Sequence, residues 1–183
     1  MKISKRRRRE CKTDYAKRFK LLKSESPRIL FRKTNRYILT QYVISKEAQD
    51  NIQFGITSKK LKEYGWPDEF DGSLKSIPAS YLTGLLFGRE IIKKKLEAPI
   101  VDIGMNRTIS KNRVYAFLKG IVDAGVKINC SEENFPEEER LNGKNMKKDF
   151  SKIFKEIKSK IENESPVHSP DKKESAKKIK KNA

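Results

Sequence analysis

Four arginines in a row, Arg6, Arg7, Arg8 and Arg9, stand near the N-terminus with Lys12 close behind, and Arg28, Arg32, Lys33 and Arg36 crowd a second short stretch. Basic side chains at this density do one chemistry well: they replace the counterions condensed on a nucleic acid. In the second stretch, a two-residue turn at Thr34-Asn35 would set Lys33 opposite Arg36, with Arg32 adjacent and Arg28 at the base of the strand. Like charges opposed across a hairpin destabilise it, so the cluster makes most sense with phosphate between them. Tyr37 and Tyr42 lie near enough to offer a stacking face to an unpaired base. The competing readings are a solvated hairpin with core tyrosines and, for the arginine run, a nuclear-localisation or generic polyanion arm.

Catalytic chemistry is poorly served. His168 is the only histidine and sits in a Lys-rich terminal stretch, which removes the usual general base, any His-based triad and any His metal cluster from the fold. The suggestive fragment is Val101-Asp102-Ile103-Gly104, because nucleases of the ribonuclease H type carry an Asp followed two residues later by Gly on a central strand. A two-metal nuclease needs several converging carboxylates. The nearby candidates, Asp123 and Glu97, fall at a helix end and in a Lys-rich stretch, so Asp102 is expected to bond locally and the protein not to be an enzyme. Cys11 and Cys130 lie far apart without a second ligand at metal spacing, which argues against zinc and against a disulfide framework. No cofactor is expected.

The charge balance points the same way as the arginines. Lys plus Arg number 43 against 24 Asp plus Glu, a formal net charge of +19 on 183 residues. A polyanionic partner relieves the self-repulsion that such an excess creates. Residues 1–12 carry +6 and residues 164–183 carry +3, leaving +10 on the body between them. That body, 13–163, has the length of one domain with one core. No apolar run approaches the roughly 20 residues of a membrane helix, and the charged start has no apolar stretch behind it to make a secretory signal.

These residues need elements to position them. Residues 1–12 show no apolar periodicity and are expected to stay disordered until an anion arrives. From Thr13 as a cap, Tyr15, Phe19 and Leu22 recur at helical spacing until Pro27. Ile29 to Arg32 and Tyr37 to Ile44 read as a hairpin, and the alternation of Ile52, Phe54 and Ile56 completes a three-stranded antiparallel meander. A short basic helix follows Ser58. Pro78 opens a helix buried through Tyr81, Leu82, Leu85, Leu86 and Ile92, in which Gly84 and Gly88 would allow close approach to the sheet. Ala98 to Met105 is a further strand, and Asn112 caps a helix carrying Val114, Phe117, Leu118 and Ile121 to Gly125. The acidic run Glu132 to Glu139 should face water or a basic protein neighbour. A last helix carries Met146, Phe150, Ile153, Phe154, Ile157 and Ile161, and residues 164–183 read as a disordered Lys-rich tail. The fold class is α/β, a mixed central sheet packed with helices.

Lys12-Thr13-Asp14-Tyr15 with Arg18, Leu21-Leu22-Lys23-Ser24, Pro27-Arg28, and Arg32-Lys33-Thr34-Asn35-Arg36-Tyr37-Ile38 with Gln41 together resemble the opening of the ribosomal protein L-eighteen family, in its archaeal and eukaryotic 5S-RNA-binding branch. Ser76 to Leu86, Asp102-Ile103-Gly104, Leu118-Lys119-Gly120 with Asp123-Ala124-Gly125, and Ser131 through Phe135-Pro136 to Arg140 are similar to its later blocks, in the same order. The resemblance covers residues 12–145; the tail after Glu162 fits no pattern of the family. It implies a ribonuclease H-like fold without catalysis, contacts with 5S rRNA and large-subunit rRNA, and docking beside the L-five partner protein in the central protuberance of a cytoplasmic ribosome, with a nuclear or nucleolar assembly stage in a eukaryote. The residues expected on RNA are Arg6, Arg7, Arg8, Arg9, Lys12, Tyr15, Arg18, Arg28, Arg32, Lys33, Thr34, Asn35, Arg36, Tyr37 and Gln41. Two rivals from other classes are a nuclease and a basic module that binds acidic proteins.

Overall fold

The computed structural model describes residues 3–163 except 48, 147 and 148, with backbone only at 71–73. The expected Lys-rich tail, 164–183, lies outside the described residues. Strands β1 (Arg28–Lys33), β2 (Ile38–Lys46) and β3 (Gln49–Thr57) form the expected meander. A short β4 (Ile100–Asp102) joins β1 in parallel, giving the order β3-β2-β1-β4. The sheet is thus mixed and packed with helices, as the sequence predicts, and consistent with a ribonuclease H-like arrangement. The fourth strand is shorter than the apolar stretch around it, because pairing with β1 spans only Arg28 to Leu30.

The two faces of the sheet are unlike. Register pairs Ile29 with Tyr42 and Phe31 with Thr40, all buried, so one face is apolar by alternation. It receives helix α3 (Ile77–Lys93) and α4 (Arg113–Asp123), with Phe31 packed on Phe117 at 5.1 Å and Phe54 on Phe87 at 4.8 Å. The other face carries Arg28, Leu30 and Arg32 of β1 beside Gln41 of β2.

Helix α3 starts at a Ser76 cap with Pro78 in its first turn, and α4 at Asn112, whose side-chain Oδ1 accepts from the Val114 and Tyr115 amides. The two helices touch along their small residues. A side chain at Gly84 would strike the Phe117 backbone, and one at Gly120 the Tyr81 carbonyl. The glycine notch of α3 therefore faces α4 and not the sheet, a correction to the expectation above: an α3 buried nearly all round must meet a neighbour on every side. Helix α6 (Ser151–Asn163) closes the far side with Phe154, Ile157 and Ile161, and Phe150 just before it packs on Trp66 and Phe70.

The N-terminal helices are α1 (Arg6–Arg9), a single exposed turn, and α2 (Tyr15–Lys23). The structure thus gives the arginine run one helical turn where disorder is expected. Asp14, not Thr13, caps α2, because its carboxylate reaches the Ala16 and Lys17 amides at 3.0 and 3.1 Å; Thr13 accepts instead from Arg7 Nε at 2.9 Å. A last single turn, α5 (Glu138–Leu141), ends the acidic run.

Candidate nucleic-acid interface

The expected site residues separate into three groups. The first is pinned. Arg28 is 1% exposed on the polar face of the sheet; its Nη2 donates to Asp50 Oδ1 at 2.7 Å and to Ser45 Oγ at 2.6 Å, and its Nη1 stands 3.7 Å from Asp102 Oδ2. Arg32 donates to Asp102 Oδ2 at 3.1 Å and to the Asp102 carbonyl at 2.9 Å. Arg18, on α2, donates to Asp50 Oδ2 at 3.1 Å. Arg28 thus cannot serve as a phosphate contact, contrary to expectation: an arginine sealed between two carboxylates is neutralised and out of reach. Burial raises the Asp50 carboxyl, but its bond from Ser45 and the charges of Arg18 and Arg28 outweigh that, holding it below the usual carboxylate range.

Asp102 has a clear task in this group. It accepts from the Gly104 amide at 2.7 Å and holds both arginines of β1. Gly104 has a φ of +61°, and a Cβ there would lie 2.9 Å from the Arg32 guanidinium, so the Asp-Ile-Gly fragment is a turn built around an ion pair. Asp123, one of the two further carboxylates considered for catalysis, accepts from Tyr81 Oη at 2.7 Å between α3 and α4. Among the described residues no group of three or more His, Cys, Asp or Glu is placed to hold a metal ion.

The second group is the hairpin tip. Lys33 pairs with Ile38, so the loop is Thr34 to Tyr37 and Lys33 does not face Arg36. Thr34 closes it, its amide and hydroxyl donating to the Tyr37 carbonyl at 2.9 and 2.7 Å and its Oγ1 accepting from the Tyr37 amide at 3.0 Å. That side-chain bridge explains why the turn is four residues and not two. Lys33, Asn35 and Arg36 are exposed, and Tyr37 lies under the Lys59 ammonium at 4.7 Å. Tyr42, offered above as a stacking face, is a core residue stacked on Phe54, and its hydroxyl donates to the Glu97 carbonyl. Desolvation there, with the charge of Glu97, pushes its phenol up.

The third group is the arm. Arg6, Arg7, Arg8 and Arg9 are exposed on α1, and among the described residues only Arg6 of the four makes an ion pair, with Glu10 at 3.8 Å. Lys12 pairs with Glu10 at 2.8 Å, and Lys5 lies 4.7 Å over the Tyr15 ring. A small groove of about 50 Å³ between α2 and the polar face brings Lys12, Arg18 and Arg32 together with Lys17, which reaches the Gly104 carbonyl at 3.5 Å. Gln41 is half-buried on β2. Phe19, 69% exposed on α2 among Lys17, Arg18 and Lys20, is an open aromatic that helical spacing had suggested for packing.

Similarity to known proteins gives the family of the chain. The model of a family described as "Ribosomal large subunit proteins 60S L5, and 50S L18" matches residues 1–99. The chain is 42% identical over 155 residues to the large ribosomal subunit protein uL18 of Korarchaeum cryptofilum, covering 85% of this chain and 77% of that one. The chain belongs to the uL18 family. The uL18 proteins of Methanothrix thermoacetophila and Methanoculleus marisnigri, 42% and 44% identical over 138 residues, cover 75% of it. A uL18 protein is a structural component of the large ribosomal subunit and not an enzyme, in keeping with the commitment of Asp102 to ion pairs. The signal that separates pinned from open arginines was present as Asp50 and Asp102, but only the fold carries those carboxylates to Arg28, 22 residues before the one and further still before the other.

Proposed function

We propose that this uL18 protein binds 5S rRNA through its arginine arm and the β1–β2 hairpin tip, and helps attach it to large-subunit rRNA in the central protuberance, beside the L-five partner protein. It works in cytoplasmic ribosomes, with a nuclear or nucleolar assembly stage if the source is eukaryotic. The observation that carries this reading is the exposure of Arg7, Arg8, Arg9, Lys33 and Arg36, none of which pairs with a carboxylate among the described residues, on a chain of net charge +19. Exposed cations that no acid neutralises keep their full Coulombic attraction for phosphate, and arginine adds a bidentate fork. The half-buried Tyr37 and the open Phe19 supply π-faces beside them.

A filter-binding titration of labelled 5S rRNA against salt tests it. With roughly five phosphate contacts, log K should fall against log salt with a slope of about −4. A slope near zero, or equal affinity for an unrelated RNA of the same length, would reject the proposal.

A further inference from the structure

A cleft of about 650 Å³ belongs to none of the three groups above except for Lys33. It opens where β1 ends, where the chain leaves β4, and where α4 begins. Because β1 and β4 are parallel neighbours, it lies outside the carboxyl ends of two parallel strands, the place where open α/β sheets receive ligands. Its size is that of a binding cleft, about 300–1,000 Å³.

Its lining is cationic and apolar together. Lys33, Arg107 and Arg140 are exposed and form no ion pair among the described residues, whereas Lys111 is paired with Glu137 at 2.6 Å, a carboxylate that also feels the charge of Arg140. Arg113 also lines it, and its Nε is buried without an acceptor, a donor left waiting for one. Met105 and Ile109 are 57% and 59% exposed, apolar surface that a water-filled cleft has no reason to keep open.

We propose that this cleft is a second RNA site, which takes an unpaired segment with its phosphates on Lys33, Arg107 and Arg140 and a base against Met105 and Ile109. Cations alone would suit duplex as well as single strand, but open apolar surface beside them gives a base that has left its stack somewhere to lie. The proposal rests on the RNA-binding reading above; the segment belongs either to 5S rRNA or to large-subunit rRNA.

The test uses the full chain with the paired changes Arg107→Ala and Arg140→Ala, both at exposed positions, and a thermal melt to confirm the fold. Affinity for a single-stranded 12-nucleotide RNA should fall at least about tenfold. The salt slope should flatten by about 1.4 for two lost phosphate contacts on a single strand. Binding of the same sequence as a duplex should move less than about threefold, and Arg107→Lys with Arg140→Lys should restore most of the loss. Crosslinks from a 4-thiouridine-substituted strand should map to residues 105–113. Competition by 5S rRNA or by a large-subunit rRNA fragment at that crosslink identifies the source.

Unchanged single-strand affinity, while Arg7→Ala with Arg8→Ala still weakens 5S rRNA binding, overturns the cleft and leaves the arm standing. Equal losses for duplex and single strand, or binding of polyglutamate as tight as RNA, overturn it too, the latter in favour of an acidic protein segment. If the wild-type chain binds no RNA at all, the reading on which the cleft rests has failed as well.

Discussion

Two sets of arginines share this small protein and do opposite things. Arg28, Arg32 and Arg18 on the polar side of the sheet are tied to Asp50 and Asp102, whereas Arg7, Arg8, Arg9 and Arg36 stand on a one-turn helix and a loop tip and make no ion pair among the described residues. The residue type is the same. What differs is whether the fold delivers a carboxylate. An arginine whose charge is already matched contributes to the fold, and one left unmatched keeps its attraction for a polyanion.

The comparison breaks most visibly at Arg28. Truncating it removes one member of a nearly sealed ionic group, so Arg28→Ala should destabilise the chain by about 3–5 kcal/mol in a urea titration. RNA affinity of the folded variant should stay within about threefold, a change well under 1 kcal/mol. If affinity collapsed while stability held, the pinned set would be a binding set and the contrast would vanish.

Arg36→Ala tests the open set. Because Lys33 faces Ile38 and not Arg36, there is no cross-strand repulsion to relieve, and stability should stay within about 0.5 kcal/mol of wild type. Its affinity for 5S rRNA should fall by about 1–3 kcal/mol, as for a lost bond to a charged group. A sharp drop in melting temperature with affinity unchanged would make the tip structural.

The smallest effect sharpens the pinned side by pH. Asp50 titrates below its ordinary 3.8, so the folded chain keeps the carboxylate ionised where the unfolded chain begins to protonate. Its contribution is therefore present above that ordinary value and lost as pH falls through the lowered one. Acid denaturation should be steeper for wild type than for Asp50→Asn below about pH 4. Matching acid limbs would mean that Asp50 is not the acid that holds Arg18 and Arg28.

Much of this was legible in the residues alone. Alternation in Ile29 to Ile56 dictated the meander, since only a period of two buries Ile29, Phe31 and Tyr42 on one face. Asn112 as cap and Gly125, at a φ of +101°, bounded α4, because both act within one turn of chain. Net charge and the arginine run pointed to a polyanion, a property of composition that needs no fold. The turn length was misread because the Thr34 side chain, not the backbone dipeptide, closes the loop.

Tertiary structure alone decided which cations are free, which way the α3 glycines face, and where the open cleft lies. Each depends on residues far apart in sequence meeting in space: Asp50 and Asp102 with Arg28, Gly84 with Phe117, Lys33 with Arg107 and Arg140. Local chemistry sets the shape of a turn or a cap within a few residues, but Coulomb attraction and steric exclusion act on whatever the packed chain brings within a few ångströms.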